Sequence, residues 1–406
     1  MTALKRRVWI AAAAALLVAL LAGCDVPITT SPDQPTLTPG GPTVTVPMPG
    51  GIQTNTPGGD GGTGDGGAGD GGTGDGGDTG ENETWAVYFT DPVIPFDDVT
   101  TGGIDDNLVW LIDNAQSTID AAVFEFDLQD VADALIAAHN RGVQVRLVYD
   151  SEFAEESDKV DQLEAAGIPG VGDDRGDYQH NKFFVFDGDI VWTGSMNITE
   201  NGVYRNNNNV VAFVSPELAA NYTTEFEEMF NGQFGAGSPA NTPNPGVQVG
   251  GLWVENYFSP DDDVESQLIS VLSEAQQSIH FMAFSFTLDS LGDVMMAKSD
   301  QGVEVAGLFE ARGANSPYSE CPRLLDYGID VRLDGNPRVM HHKVMIIDGQ
   351  TVVTGSFNFS ANAAEDNDEN VVIIHSPAVA AYYEAEFARL VAQGSFPVGG
   401  ECLVGE

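Results

Sequence analysis

The stretch HNKFFVFDGDIVWTGSMN, residues 180–197, returns as HHKVMIIDGQTVVTGSFN, residues 341–358. Counted from His180 or from His341, a lysine stands at +2, an aspartate at +7, a serine at +15 and an asparagine at +17. Four apolar residues precede each aspartate, Phe183 to Phe186 and Val344 to Ile347. Asp187-Gly188 or Asp348-Gly349 follows, then a second β-branched run, Ile190 to Thr193 or Thr351 to Thr354. Two such runs joined by Asp-Gly read as a β-hairpin. Residues two apart on a strand share a face, so His180 and Lys182 point one way, as do Ser195 and Asn197. His341, Lys343, Ser356 and Asn358 repeat the arrangement. Each hairpin thus offers an imidazole, an ammonium, a hydroxyl and an amide on adjacent strands. That set suits a phosphate, with a cation and neutral donors for its oxygens and a histidine for attack or proton transfer. Asp187 and Asp348 are expected to be structural, each capping its turn through a side-chain oxygen.

Outward from the hairpins, the whole surrounding chain is duplicated. AQSTIDAAVFEF (residues 115–126) matches AQQSIHFMAFSF (275–286), and NRGVQVRLVYD (140–150) matches DQGVEVAGLFE (300–310), both offset by 160 residues. VYFTDP (87–92) matches NYFSPD (256–261), and a Gly/Pro/Asn-rich stretch around 232–250 separates the copies. Helical spacing runs from Asp106 to Ala115, from Val131 to His139 and from Val264 to Ala275, and strands are expected over Ile119 to Phe126 and Val143 to Tyr149. Strand, helix, strand at these lengths gives an α/β fold. We expect two units, residues 84–235 and 250–396, packed about a pseudo-twofold axis.

The doubled His-x-Lys-x4-Asp, each followed by Gly-Ser-x-Asn, resembles the phospholipase D superfamily, and the likeness covers nearly all of residues 85–395. The resemblance implies duplicated phospholipase D-like α/β/α units whose motifs meet at one site. One histidine attacks phosphorus to form a phosphohistidine, and the other protonates the leaving alcohol. Water or another alcohol then releases the phosphoryl group, by hydrolysis or transphosphatidylation. Carried over, Lys182, Lys343, Asn197 and Asn358 hold the phosphate oxygens, Ser195 and Ser356 support them, and no metal or cofactor is required. The family also places an acidic residue further on to orient the histidine. At +28 the second copy has Glu369, but the first has Asn208. If each serves the histidine of its own copy, the carboxylate favours protonated His341 as general acid and leaves His180 as the neutral nucleophile.

The remaining candidates read as structural. His342 should face away from His341; His139 sits at a helix end, His280 in an apolar strand, and His375 near a loop. Arg205 and Arg338 lie close to the motifs in sequence and read as solvated surface residues. Trp110, Trp192 and Trp253 are expected in the core or in a pocket wall rather than as a stacking platform for bases.

The ends of the chain carry a different message. Lys5, Arg6 and Arg7 precede an apolar run from Val8 to Leu21, which ends in Leu21-Ala22-Gly23-Cys24. The run is short for a membrane span, and its ending resembles the lipobox of bacterial lipoproteins. This implies a signal peptide over residues 1–23, a lipid on Cys24, and a place in the bacterial cell envelope outside the cytoplasm. Residues 24–83 are Pro/Thr-rich and then Gly/Asp-rich and read as a disordered tether, spanning about 40 Å. Cys321 and Cys402 remain, to pair as a disulfide outside the cytoplasm or to stay as two thiols.

With 16 Lys+Arg against 61 Asp+Glu, the net charge is −45. Such a chain repels nucleic acid and anionic membranes except where basic residues gather. Phospholipid is the expected substrate, zwitterionic headgroups being the easier, and no obligate partner is needed because one chain carries both motifs. The alternatives are an extracellular nuclease of the same superfamily and a weakly active binding lipoprotein, for which Asn208 is the sequence feature.

Overall fold

The computed structural model describes residues 84–404; the leader, Cys24 and the tether lie outside them. The first copy supplies β1 (Trp85–Phe89), β2 (Thr118–Val123), β3 (Gln144–Tyr149), β4 (Gly170–Gly172), β5 (Phe183–Phe186), β6 (Ile190–Gly194), β7 (Asn206–Asn207) and β8 (Asn209–Val214). The second supplies β9 (Gly246–Val249), β10 (Leu252–Ser259), β11 (Ser278–Ala283), β12 (Glu304–Phe309), β13 (Asp330–Leu333), β14 (Val339–Met340), β15 (Lys343–Ile347), β16 (Thr351–Gly355) and β17 (Glu369–His375). One sheet runs β1-β8-β6-β5-β2-β3-β4 and the other β13-β12-β11-β15-β16-β17-β10-β9. Apart from the edge strand β9, the two orders are the same. These are the two mixed α/β units expected from the duplication, and β9 carries the second one back to Gly246.

Both motif hairpins close through residues with positive φ, Asp187 at 54° and Gly188 at 71°, Asp348 at 54° and Gly349 at 59°. An Asp-Gly pair tolerates this left-handed backbone, and the resulting twist matches that of the strands. The aspartates do more than cap their own turns. The Asp187 carboxylate accepts from the backbone N–H of Gln116, Ser117 and Thr118, and Asp348 does the same for Gln276, Gln277 and Ser278. Each one fastens the start of the neighbouring strand, and these hydrogen bonds hold its carboxyl below the usual range.

The helices form three layers. Asp105–Asn114 and Gln129–Asn140 pack on the outer face of the first sheet, and Val264–Ser273 and Asp289–Asp300 on that of the second. Pro216–Phe230 and Pro377–Gln393 lie between the sheets. Each starts on a serine, Ser215 or Ser376, whose side chain accepts from Leu218 N or Val379 N, with proline in the first turn. Val211, Tyr222 and Phe226 share one apolar cluster with Val344, Ile374 and Tyr383, so a single core spans both copies. Cys321 and Cys402 form a disulfide that ties the tail to the second copy.

Polar contacts across this core repeat under the pseudo-twofold. Asn209 Nδ2 donates to Thr354 Oγ1 (2.7 Å) and to the Tyr383 hydroxyl (3.0 Å). Asn370 Oδ1 accepts from Thr193 Oγ1 (2.8 Å) and the Tyr222 hydroxyl (3.0 Å). The middle residue of each motif completes the set: Asn370 Nδ2 donates to Asn181 Oδ1 (2.8 Å), and His342 Nδ1 lies 3.0 Å from Asn209 Oδ1. These six partners of the two asparagines are all buried. Asn209→Ala strands several of these groups without water, at about 1–3 kcal/mol each. We predict a loss of about 3 kcal/mol in urea unfolding, with little change in its denaturant slope.

Candidate active site

The two motif strands meet because the backbone of each is continued by the other copy. His180 N–H donates to Asp368 C=O, and His341 N–H to Asn207 C=O, both at 2.9 Å. Beside them β14 pairs with β7, and Gln179 bridges to Asp368. His180, Lys182, His341 and Lys343 are all buried, with exposures of 5%, 1%, 8% and 1%.

The orienting groups cross between the copies. Glu369 does not serve His341: its Oε2 accepts from Nδ1 of His180 at 2.7 Å. His341 instead donates its Nδ1–H to Asn208 Oδ1 and to the Ser195 carbonyl, both at 3.0 Å. This overturns the expectation that each orienting group serves its own copy. The physical reason is the exchange of backbone between copies, which brings Asp368-Glu369 alongside His180 and Asn207-Asn208 alongside His341. With Nδ1–H engaged, each imidazole keeps Nε2 for chemistry.

The serines act one step back from the imidazoles. Ser195 Oγ donates to Asn208 Oδ1 at 2.8 Å and accepts from Asn209 N–H at 3.1 Å, while Ser356 Oγ accepts from Asn370 N–H at 3.0 Å. Asn208 Nδ2 donates to the Gly202 carbonyl (2.8 Å), which aims the amide oxygen at His341. Asn197 Nδ2 donates to Glu125 Oε2 at 2.5 Å. The side-chain oxygens of Asn197 and Asn358 are buried without a partner among the described residues.

Several site residues escaped the sequence reading. Phe124 and Phe284 pack edge-on against His180 and His341, with centroids 4.6 and 4.7 Å away, and lie under the ammoniums of Lys182 and Lys343 at 4.6 and 4.7 Å. They match in the duplication at the same 160-residue offset, and that was their signal. The strand expected to reach Phe126 ends at Val123, because the chain leaves the sheet there to lay Phe124 against the imidazole. Arg175 is the other omission. It pairs with Asp368, the residue that holds the His180 backbone.

The residues read as structural fall away from this centre. His342 is fully buried, with Nε2 3.1 Å from Glu386 Oε1, and His280 and His375 pair with Glu384 and Glu255. His139 stands in the last turn of its helix. Arg205 is not the solvated residue expected: its side chain is 14% exposed and lies near Glu200 and over Phe96. Arg338 is exposed. Trp110 and Trp192 pack in the first core, but Trp253, expected inside, is 41% exposed, because its position on β10 faces outward.

Enclosure makes every charge in the site costly. Burial, joined by the two nearby lysines, pushes both His180 and His341 well below their ordinary range. Burial also lowers Lys182 to about 7 and raises Glu369 to about 8. Lys343 falls through burial and through repulsion from Lys182. The protein alone thus sheds charge here, and an anion between the lysines would restore theirs. The crossed pairing has a direct spectroscopic test. In imidazole nitrogen NMR, Glu369→Gln should shift the Nδ1–H signal of His180 and leave that of His341 in place. Asn208→Asp should raise the His341 titration by about one unit or more, since a carboxylate stabilises the imidazolium. The opposite assignment of either effect would contradict the geometry.

Comparisons with known proteins agree with this fold. The family described as "Cardiolipin synthase, PLD-like domain" matches residues 108–230 and again 268–391. A mitochondrial cardiolipin hydrolase of Chlamydomonas reinhardtii is 31% identical over 179 residues, which cover 38% of this chain and 80% of that protein. A phospholipase D of Rickettsia typhi is 31% identical over 137 residues, covering 34% of this chain and 67% of the relative. The phosphatidylserine synthase structure from Haemophilus influenzae shares the fold over 78% of this chain and 88% of its own, with a TM-score of 0.57 at 15% identity. With both copies matched and relatives of this identity, the chain belongs to the phospholipase D superfamily of phosphodiesterases, as a member with two phospholipase D-like domains.

Proposed function

We propose that this protein cleaves the headgroup phosphodiester of membrane phospholipids, through a phosphohistidine on His180 and general-acid catalysis by His341. The observation that carries the assignment of roles is the 2.7 Å contact from His180 Nδ1 to Glu369. Attack by Nε2 forms the N–P bond and leaves the imidazole cationic. In its ionised form Glu369, which accepts from Nδ1–H, stabilises that charge as it develops, and the nascent imidazolium favours that form against the burial that opposes it. As the P–O bond to the headgroup breaks, the leaving oxygen takes a proton from Nε2 of His341. The neutral Asn208 leaves that imidazolium a stronger acid than a carboxylate partner would. Phosphate between Lys182 and Lys343 supports the protonated state of His341 by offsetting their repulsion. In the second half, neutral His341 removes a proton from water, whose oxygen displaces His180 and regenerates it. His180 thus keeps the nucleophile role read from sequence, but for the reverse reason. The charge facing the phosphoryl oxygens in this scheme comes from the two lysines.

Lipid as the substrate class draws support from the relatives' names and from the loop after β1. Val93, Ile94, Phe96 and Val99 are exposed there by 55, 47, 36 and 54%. The root of the loop is fixed to the site: Thr90 Oγ1 donates to the Asn206 carbonyl and accepts from Asn208 N–H, both at 2.7 Å. An apolar segment beside a phosphate site suits a bilayer surface better than a polyanion. The lipid anchor on Cys24 and the tether would keep the enzyme at that surface in the cell envelope. The nuclease reading needs a basic groove, yet Lys182 and Lys343 are buried and Arg205 is largely covered.

The test is headgroup release from mixed phosphatidylcholine and phosphatidylglycerol vesicles in EDTA. Wild type should release headgroup. His341→Ala should lose about 10²–10⁴-fold in rate, and His180→Ala at least about 10⁴-fold. A folded wild-type protein that leaves the vesicles intact but cuts single-stranded DNA would replace lipid with nucleic acid as the substrate.

A further inference from the structure

Three carboxylates with no basic partner meet where the two copies join. Glu225 and Glu228 stand three apart on the central helix Pro216–Phe230, so they share a face. Asp261 follows β10 of the second copy. One carboxylate oxygen from each lies within 4.8 Å of the other two. Glu225 is 4% exposed and Glu228 7%, and no Lys, Arg or His among the described residues is within ion-pair distance of any of the three.

Hydrogen bonds account for only part of this cluster. Asn241 Nδ2 donates to Glu228 Oε1 at 2.5 Å, which leaves Oε2 buried with no partner. Asp261 Oδ1 is likewise buried and unpartnered. The adjacent carboxylates are otherwise engaged: Asp262 accepts from Thr242 Oγ1 and Phe258 N–H, and Asp368 from Arg175 and Gly235 N–H. Orphaned carboxylate oxygens in a closed site are costly unless a cation reaches them.

We propose that Glu225, Glu228 and Asp261 bind one divalent cation of the calcium class, which clamps the last helix of the first copy to the second. The donors are all hard oxygens with no nitrogen or sulfur, which favours Ca²⁺ over zinc or copper. Their spread, within 4.8 Å, places all three in reach of one ion, small side-chain adjustments bringing the contacts to the usual Ca–O length of about 2.3–2.6 Å with water completing the shell. Burial and mutual repulsion push Glu225 well above the ordinary carboxylate range and Asp261 to about 7, a cost that the ion removes. The cluster contains none of the phosphate-facing residues, so the ion serves assembly of the two copies and not the chemistry.

The experiment uses full-length protein stripped with EDTA and dialysed into 0.15 M NaCl, titrated with CaCl₂ by calorimetry and followed by thermal unfolding. Wild type should show one buried-site stoichiometry and a Tm rise of roughly 5 °C when free Ca²⁺ is about a hundred times its Kd. The Glu228→Gln, Asp261→Asn double variant should lose that rise and bind at least tenfold more weakly. Its metal-free Tm should equal or exceed that of wild type, because the repulsion among clustered carboxylates is relieved. Glu225→Gln provides the same comparison should the double variant fail to fold. Folded wild type with neither heat nor Tm shift would overturn the proposal. So would an equal shift in the variants, which would assign the effect to the acidic surface.

Discussion

The imidazole of His180 is positioned by groups from the other half of the chain. Its ring proton goes to Glu369, 189 residues away, and its backbone N–H goes to Asp368. His341 depends in the same way on Asn207 and Asn208. This exchange is the constraint on which the rest of the structure depends. It requires the two sheets to face each other across the two central helices, those helices to share one core, and the middle residues of the motifs, Asn181 and His342, to lie inside the interface. The imidazoles are therefore oriented only when both copies are folded and docked.

The electrostatics follow from that enclosure. A chain with a net charge of −45 sequesters Lys182 and Lys343 where water cannot screen them. Two ammoniums held against aromatic faces and backbone carbonyls make a strong local field despite the acidic exterior. The lowered lysines and histidines and the raised Glu369 share one origin in burial, and a bound phosphodiester would offset it for the cationic groups. In the proposed scheme, the asymmetry between Glu369 and Asn208 divides the labour between two otherwise matching histidines.

Much of this was legible in the sequence because hairpins are local. Asp-Gly between apolar runs specifies the turn, period two specifies the shared face, and the 160-residue offset specifies the second unit. The crossing of Glu369 to His180 was not legible, since spacing from a motif records position along the chain and not which copy lies opposite. Phe124 was hidden inside what read as a continuous strand; its exit from the sheet depends on the imidazole it covers. Trp253 was misplaced because an outward position on a strand near a sheet edge has the same composition as an inward one. The pairing of Cys321 with Cys402 depends on how the tail folds back, which no local pattern encodes.

The central claim, that the copies exchange orienting groups so that His180 is the nucleophile, is tested most directly by trapping the intermediate. Full-length enzyme would be quenched in base during turnover of a slow phosphodiester, and its peptides sequenced by mass spectrometry. The account predicts a phosphoryl group on the peptide containing His180, accumulating further in His341→Ala if release is slowed. Phosphate on His341, with His180 unmodified, would contradict it.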